Sequence, residues 1–226
     1  MTQQNPEFAD RSAAGRQLAE VLQDRLLSEP LIVALPRGGV PVAFEMAQRL
    51  GLPLDLLIVR KIGAPGHPEF GIGAVADGPE PHVVIDEKAA RRFPLPPGYL
   101  DTEMRHQLAE VERRHRMYFG EDQAEDHDFR GRDIILVDDG IANGGSIFAG
   151  IQALKHMGAG RIVVAVPVAS RLLVEELRHA VAEVICLSAP ENLQAVSLHY
   201  GDFAQTTDQE VVALLKQAKN LDRRLH

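Results

Sequence analysis

The 226-residue sequence predicts an α/β chain: a mostly parallel sheet flanked by helices, with a small helical insertion. Short, unbroken apolar runs such as Leu31–Leu35 and Ile134–Val137 have the length and evenness of strands buried on both faces. Helical periodicity alternates with such runs, most regularly from Ile134 to Leu187, as in parallel βαβ units. A Pro-rich break at Pro94, Pro96, Pro97 and Gly98 then sets apart one long amphipathic segment, the best candidate for an insertion at about 88–130 within a single domain of residues 1–226.

In chain order, Ala14, Leu18, Val21 and Leu22 recur at helical spacing and predict a helix ending near Ser28–Pro30. The run Leu31–Leu35 predicts a strand, Pro36-Arg37-Gly38-Gly39 breaks it, and Val40–Leu50 predicts a helix. Leu54–Val59 reads as a second buried strand. Lys61–Phe70, rich in Gly and Pro, reads as a mobile loop, and Ile72–Ala76 and His82–Ile85 as strands joined at Asp77-Gly78-Pro79. Met104, Leu108, Val111 and Tyr118 mark a helix over Leu100–Phe119, followed by an acidic surface connection, Glu121–Asp128. Strands at Ile134–Val137, Ile162–Val166 and Val184–Leu187 then alternate with helices at Gly145–His156 and Leu172–His179, before a last helix over roughly Asp208–Ala218.

Composition excludes several classes. A net charge of −8 disfavours general nucleic-acid binding, which draws its affinity from Lys and Arg on phosphates. The cluster Arg113, Arg114, His115 and Arg116 reads as the solvated face of its helix. The single cysteine, Cys186, excludes a disulfide framework and suits a buried strand. No apolar run approaches the roughly 18 residues that span a bilayer, and Met1–Asp10 has no signal-peptide pattern, so a cytoplasmic protein is expected.

Ligands of open α/β sheets bind beyond the carboxyl ends of the strands, which directs attention to three such ends. Ile134–Val137 delivers two carboxylates, Asp138 and Asp139, and then the small-residue segment Gly140-Ile141-Ala142-Asn143-Gly144-Gly145-Ser146 opening a helix. Backbone N–H groups of such a loop, with the positive end of the helix dipole, suit a phosphate monoester. Adjacent acids suit a ribose diol or its magnesium ion. Together they point to a sugar phosphate.

This stretch resembles the signature by which type I phosphoribosyltransferases bind 5-phosphoribosyl-1-pyrophosphate (PRPP). The resemblance implies that Asp138 and Asp139 serve the ribose hydroxyls and that Ala142, Asn143, Gly144, Gly145 and Ser146 hold the 5′-phosphate. Asn143 and Ser146 stand where the family usually has Thr; both keep a donor group. Ala142 replaces the Asp of 6-oxopurine-using members, so hypoxanthine, guanine and xanthine are disfavoured acceptors. Pro36-Arg37-Gly38-Gly39 is similar to the family's pyrophosphate loop, and Arg60-Lys61 to the pair that opens its flexible loop, which implies pyrophosphate binding by Arg37, Gly38, Gly39, Arg60 and Lys61. The implied catalytic set is Asp138, Asp139, Arg37 and Lys61, with Mg2+ carried by PRPP or held at Asp138 and Asp139. Ala189–Leu193, Tyr200 and Phe203 are candidates to contact a small-molecule acceptor such as a nucleobase. His67, on the loop, reads as neutral to function. The resemblance further implies a homodimer; the acidic balance and the lack of a long apolar run leave neither nucleic acid nor membrane as an expected partner. The alternative is a non-catalytic PRPP sensor, because fold and ligand site do not fix turnover.

Rival signatures fail on context. A receiver domain begins with its acidic pair and later has Lys-Pro, whereas here more than half the chain precedes the pair and the comparable strand end reads Ala189-Pro190. Gly71–Ala76 runs into a strand rather than a dinucleotide-binding helix, and Gly140–Gly145 lacks the lysine of a triphosphate loop.

Overall fold

The computed structural model describes residues 6–25, 30–78, 82–120 and 129–225. The chain runs α1 (Arg11–Leu22), β1 (Leu31–Ala34), α2 (Gly39–Leu50), β2 (Leu54–Leu56), β3 (Val59–Ala64), β4 (His67–Ala76), β5 (His82–Ile85), α3 (Glu87–Ala90), α4 (Tyr99–Phe119), β6 (Ile134–Val137), α5 (Gly145–His156), β7 (Ile162–Val168), α6 (Arg171–Arg178), β8 (Glu183–Ser188) and α7 (Asp208–Leu225).

Five strands form a wholly parallel sheet in the order β2-β1-β6-β7-β8, and the family resemblance's expectation of a helix-flanked parallel sheet holds. Each residue of β1, β6 and β7 is buried, which their unbroken apolar sequences require. One core cluster, including Leu18, Val42, Met46 and Ile135, lies on one face under α1, α2 and α7; a second, including Leu136, Ile147, Leu154 and Leu177, lies on the other under α5 and α6. From β1 the chain moves outward to β2, and from β6 it moves the other way to β7 and β8. The carboxyl ends of β1 and β6 therefore meet at the point where the strand order reverses, which opens a crevice there.

The remaining strands make a separate antiparallel sheet, β3-β4-β5. Here the structure corrects two expectations. Lys61–Phe70 is not a loop but most of a hairpin, with register shifts on either side of Gly63 and with Pro65 and Gly66 in the turn between its strands. Leu54–Val59 is not one strand: β2 ends at Leu56, Leu57 and Ile58 cross buried between the sheets, and Val59 begins β3.

The opening helix is also shorter than expected, closing at Leu22 with a 3-10 turn over Gln23–Arg25, and Val21 lies outside its buried face at 39% exposure. Cys186 lies on the edge strand β8 and is half-buried, its thiol donating to the Ser188 carbonyl at 3.0 Å. Burial pushes that thiol's pKa up. The expected ends at Ser28 and Pro79 and the connection Glu121–Asp128 lie outside the described residues. No helix among the described residues is long and apolar enough to cross a membrane.

Candidate sugar-phosphate site

The neighbouring strands β1 and β6 bring two predicted segments into contact. A side chain on Gly38 would overlap the Asp139 carboxylate, and a Cβ on Gly39 would stand 2.7 Å from the Val137 carbonyl and 3.0 Å from Asp138 Cα. Only glycine lets the Pro36–Gly39 loop lie this close over the two acids. Arg37 projects beyond it to Asp208 at the start of α7, with Nη1 3.8 Å from Oδ2. The other oxygen of Asp208 accepts from the Tyr118 hydroxyl of α4 at 2.5 Å.

Asp138 is deeply placed, and its Oδ1 accepts the N–H of Asp139 at 2.9 Å. Burial, then the neighbouring Asp139, raises its pKa well above the usual carboxylate range. Burial also raises Asp139, but Arg11 opposes the shift: its Nε donates to Asp139 Oδ2 at 2.8 Å. Negative charge is thus easier to keep on Asp139 than on Asp138. Arg11 Nη1 donates to the Ala204 carbonyl at 2.7 Å, and the guanidinium carbon lies 3.8 Å above the Phe203 ring centroid. From the opposite side the Tyr200 hydroxyl donates to the Asp139 carbonyl at 2.6 Å.

The loop after the acids is anchored before it turns outward. Ile141 donates to Val168 at 2.8 Å and bridges Ala169, which ties the loop to the end of β7. Ala142, Asn143 and Gly145 are then exposed, Ser146 is half-buried, and Gly144, at φ 76°, makes the turn into α5. Asn143 Oδ1 accepts from the Gly145 N–H at 3.3 Å. The loop therefore presents small, exposed residues at the start of a helix, where an anion cradle would lie.

Lys61 approaches this loop from the second sheet: its Cδ is 3.1 Å from the place where a Gly145 Cβ would stand. Arg60 does not join it. Its Nε donates to Gln107 of α4 at 3.0 Å, and it lines a second cavity with Glu103 and Gln107, whose rim Lys61 also reaches. His67 packs its ring beside Phe93 at a centroid distance of 5.7 Å. Among the expected acceptor contacts, Tyr200 is buried at 5% exposure between Phe8 and Phe203, with its hydroxyl committed to Asp139. Burial raises its pKa.

Sequence reasoning gave no role to Arg11, Gln107 or Asp208. Arg11 did carry a signal: a cation as the first residue of a helix opposes the helix dipole and so calls for a partner. Gln107 and Asp208 are ordinary helix-surface types whose partners lie on other elements, and only the fold reveals them.

A family model described as "Phosphoribosyl transferase domain" matches residues 4–201. Two Mycobacterium tuberculosis proteins, from strains CDC 1551 / Oshkosh and ATCC 25618 / H37Rv, carry the provisional name of phosphoribosyl transferase. Each is 41% identical over 212 residues, covering 93% of this chain and 47% of its own length. The chain thus spans about half the length of the curated relatives it matches. The crystal structure of the protein TT1426 from Thermus thermophilus is similar at a TM-score of 0.78 with 42% identity, covering 93% of this chain and 98% of that one.

Proposed function

The chain belongs to the phosphoribosyl transferase domain family, and from that premise we propose that it binds PRPP and transfers its 5-phosphoribosyl group to a nitrogenous base or related acceptor, releasing pyrophosphate. The observation that carries the reading is the exposed loop Ala142–Ser146 opening α5 directly after Asp138 and Asp139, with Gly38 and Gly39 packed against those acids.

On this reading the amides from Ala142 to Ser146 take the 5′-phosphate, the acids take the ribose hydroxyls, and Arg37 with the backbone of Gly38 and Gly39 takes the pyrophosphate. The bond from C1 to the pyrophosphate oxygen breaks with its electron pair leaving on pyrophosphate. The acceptor nitrogen supplies the pair for the new C1–N bond and gives up a proton. Charge on Asp139 offsets the positive charge growing on the ribose ring, and Arg37 offsets the negative charge on the leaving group.

Magnesium fits the donor set in one way. No group of three or more His, Cys, Asp or Glu among the described residues could hold a metal, but two carboxylates suit an ion that keeps water and phosphate oxygens as its other ligands. Bound with PRPP at Asp138 and Asp139, magnesium would neutralise phosphate charge. The insertion at about 88–130, of which α4 packs on β3 and α7, would form a hood over the acceptor. The homodimer implied by the family resemblance and the cytoplasmic setting expected from the sequence pattern belong to the same proposal.

The test is pyrophosphate release from PRPP and magnesium with a panel of nucleobases, beside calorimetric titration of PRPP. Turnover with one base supports the transferase, and tight binding without release selects the sensor alternative. Asp138→Asn should weaken PRPP binding by about ten- to a hundredfold, because magnesium arriving with PRPP would draw out the ionised carboxyl that an amide cannot supply. It should leave the melting temperature unlowered, since burial already favours the neutral acid there. Unchanged PRPP affinity in that variant would refute the assigned site.

A further inference from the structure

Arg60 and Lys61 are consecutive on β3, and a strand sends consecutive side chains to opposite faces. Arg60 goes to α4, where Gln107 accepts its Nε–H at 3.0 Å and Glu110 and Glu103 supply opposing charge. Burial, then the Arg114 charge, lowers its pKa against the pull of those carboxylates, so this cation is enclosed and held by a neutral amide rather than by an ion pair. Lys61 goes to α5. Its Cδ is 3.1 Å from a Cβ placed on Gly145 and 3.7 Å from one on Gly71. It lines a cavity of about 390 Å³ together with Asn143, Gly145, Phe148, Gln152 and Asp86. Among the described residues Lys61 has neither hydrogen bond nor ion pair. One of two adjacent cations is therefore tied to α4, and the other stands over an open loop without an ion-pair partner.

We infer that Lys61 clamps the 5′-phosphate of the sugar phosphate and is not a ligand of the pyrophosphate. The inference rests on the proposed function and reassigns one residue within it. A phosphate monoester brings close to two negative charges, whereas the loop's amides and the end of a helix dipole supply only partial positive charge. A lysine side chain a few ångströms away supplies a full one as a compact, adaptable donor. The pyrophosphate loop lies elsewhere, over Asp138 and Asp139. Because β3 belongs to the second sheet, gripping the 5′-phosphate joins that sheet to the first turn of α5 through the ligand.

Two probes separate the anions: ribose 5-phosphate carries only the monoester, and inorganic pyrophosphate only the leaving group. Calorimetry on the full chain should show that Lys61→Met weakens ribose 5-phosphate about tenfold or more while pyrophosphate affinity stays within about twofold, and that Lys61→Arg recovers most of the loss. Retained pyrophosphate binding in Lys61→Met also demonstrates that the variant is folded. A loss confined to pyrophosphate, an equal loss of both, or unchanged ribose 5-phosphate affinity would each overturn the assignment. A wild-type protein that binds neither probe instead overturns the proposed function, and the clamp with it.

Discussion

In the five-stranded sheet every residue of β1, β6 and β7 is buried, whereas all four residues of β5 in the three-stranded sheet are half-buried. The first sheet is covered by helices on both faces, and its strand ends fix Gly38, Gly39, Asp138 and Asp139 in mutual contact. The second sheet rests against α4 and α5; Ile62, Ile72 and Val75 join it to the apolar core, while its margins add polar contacts, Arg60 with Gln107 and His82 stacked on His156 at 4.0 Å. Apolar burial builds a frame whose geometry resists change. The second sheet shares that core but carries a titratable contact at its margin, where His82 meets His156.

The largest expected effect tests the frame itself. Leu136→Ala removes a side chain of zero exposure from β6 and should cost about 2–5 kcal/mol of unfolding free energy. Val83→Ala on β5 should cost about 1 kcal/mol, as expected for a half-buried site. Urea denaturation of the two variants measures the contrast, and equal losses would erase it.

A smaller effect concerns α4, the helix against β3. Glu110 bonds Arg113 at 2.7 Å and Arg114 at 2.8 Å, and these bonds, that to Arg113 foremost, hold its carboxyl at about 2, below an ordinary 4.5. A depressed acid stabilises the fold above pH 4.5, and the contribution fades as pH falls toward 2. The partners are partly exposed, so Glu110→Gln should cost no more than about 1 kcal/mol at neutral pH. Melting curves of wild type and variant should converge below pH 4.5.

The smallest effect belongs to the seam between β5 and α5. Burial, then the charge of His156, lowers the His82 pKa below its ordinary 6.5. The folded state prefers this imidazole neutral, so its contribution is present above pH 6.5 and is lost as pH falls through the lowered value. Replacing His82 with Phe should flatten the acid side of the melting profile by about one or two degrees. An unchanged slope would show that the stack is electrostatically silent.

The same contrast explains what could be read from the sequence. Every strand of the parallel sheet after β2 was visible as an apolar run, and α5 begins and ends where periodicity and the glycine signal place it, at Gly145 and His156. Asp138, Asp139 and the loop to Ser146 were legible because chemistry and chain position coincide there. The hairpin was hidden by its own glycines and prolines. A Cβ on Gly63 would stand 2.8 Å from Pro68 Cα, so that glycine marks strands in close approach, although in sequence it looks like a loop residue. The opposite fates of Arg60 and Lys61 were illegible for the same reason: a loop has no faces, and only a strand assigns alternate side chains to different neighbours.

Asp139 takes its support from Arg11, 128 positions earlier, and from Tyr200, 61 positions later, while Phe8 and Tyr200 are themselves bridged. During synthesis the segment from Ala142 to Ser146 leaves the ribosome well before Tyr200 does, so a nascent chain owns the anion loop before it owns a correctly held acid. Binding competence then arrives late in folding and all at once, when the two flanks of the chain close behind Asp139. A ligand that recognises only the finished arrangement would favour closure of both flanks together and lower the population of chains in which either has come loose.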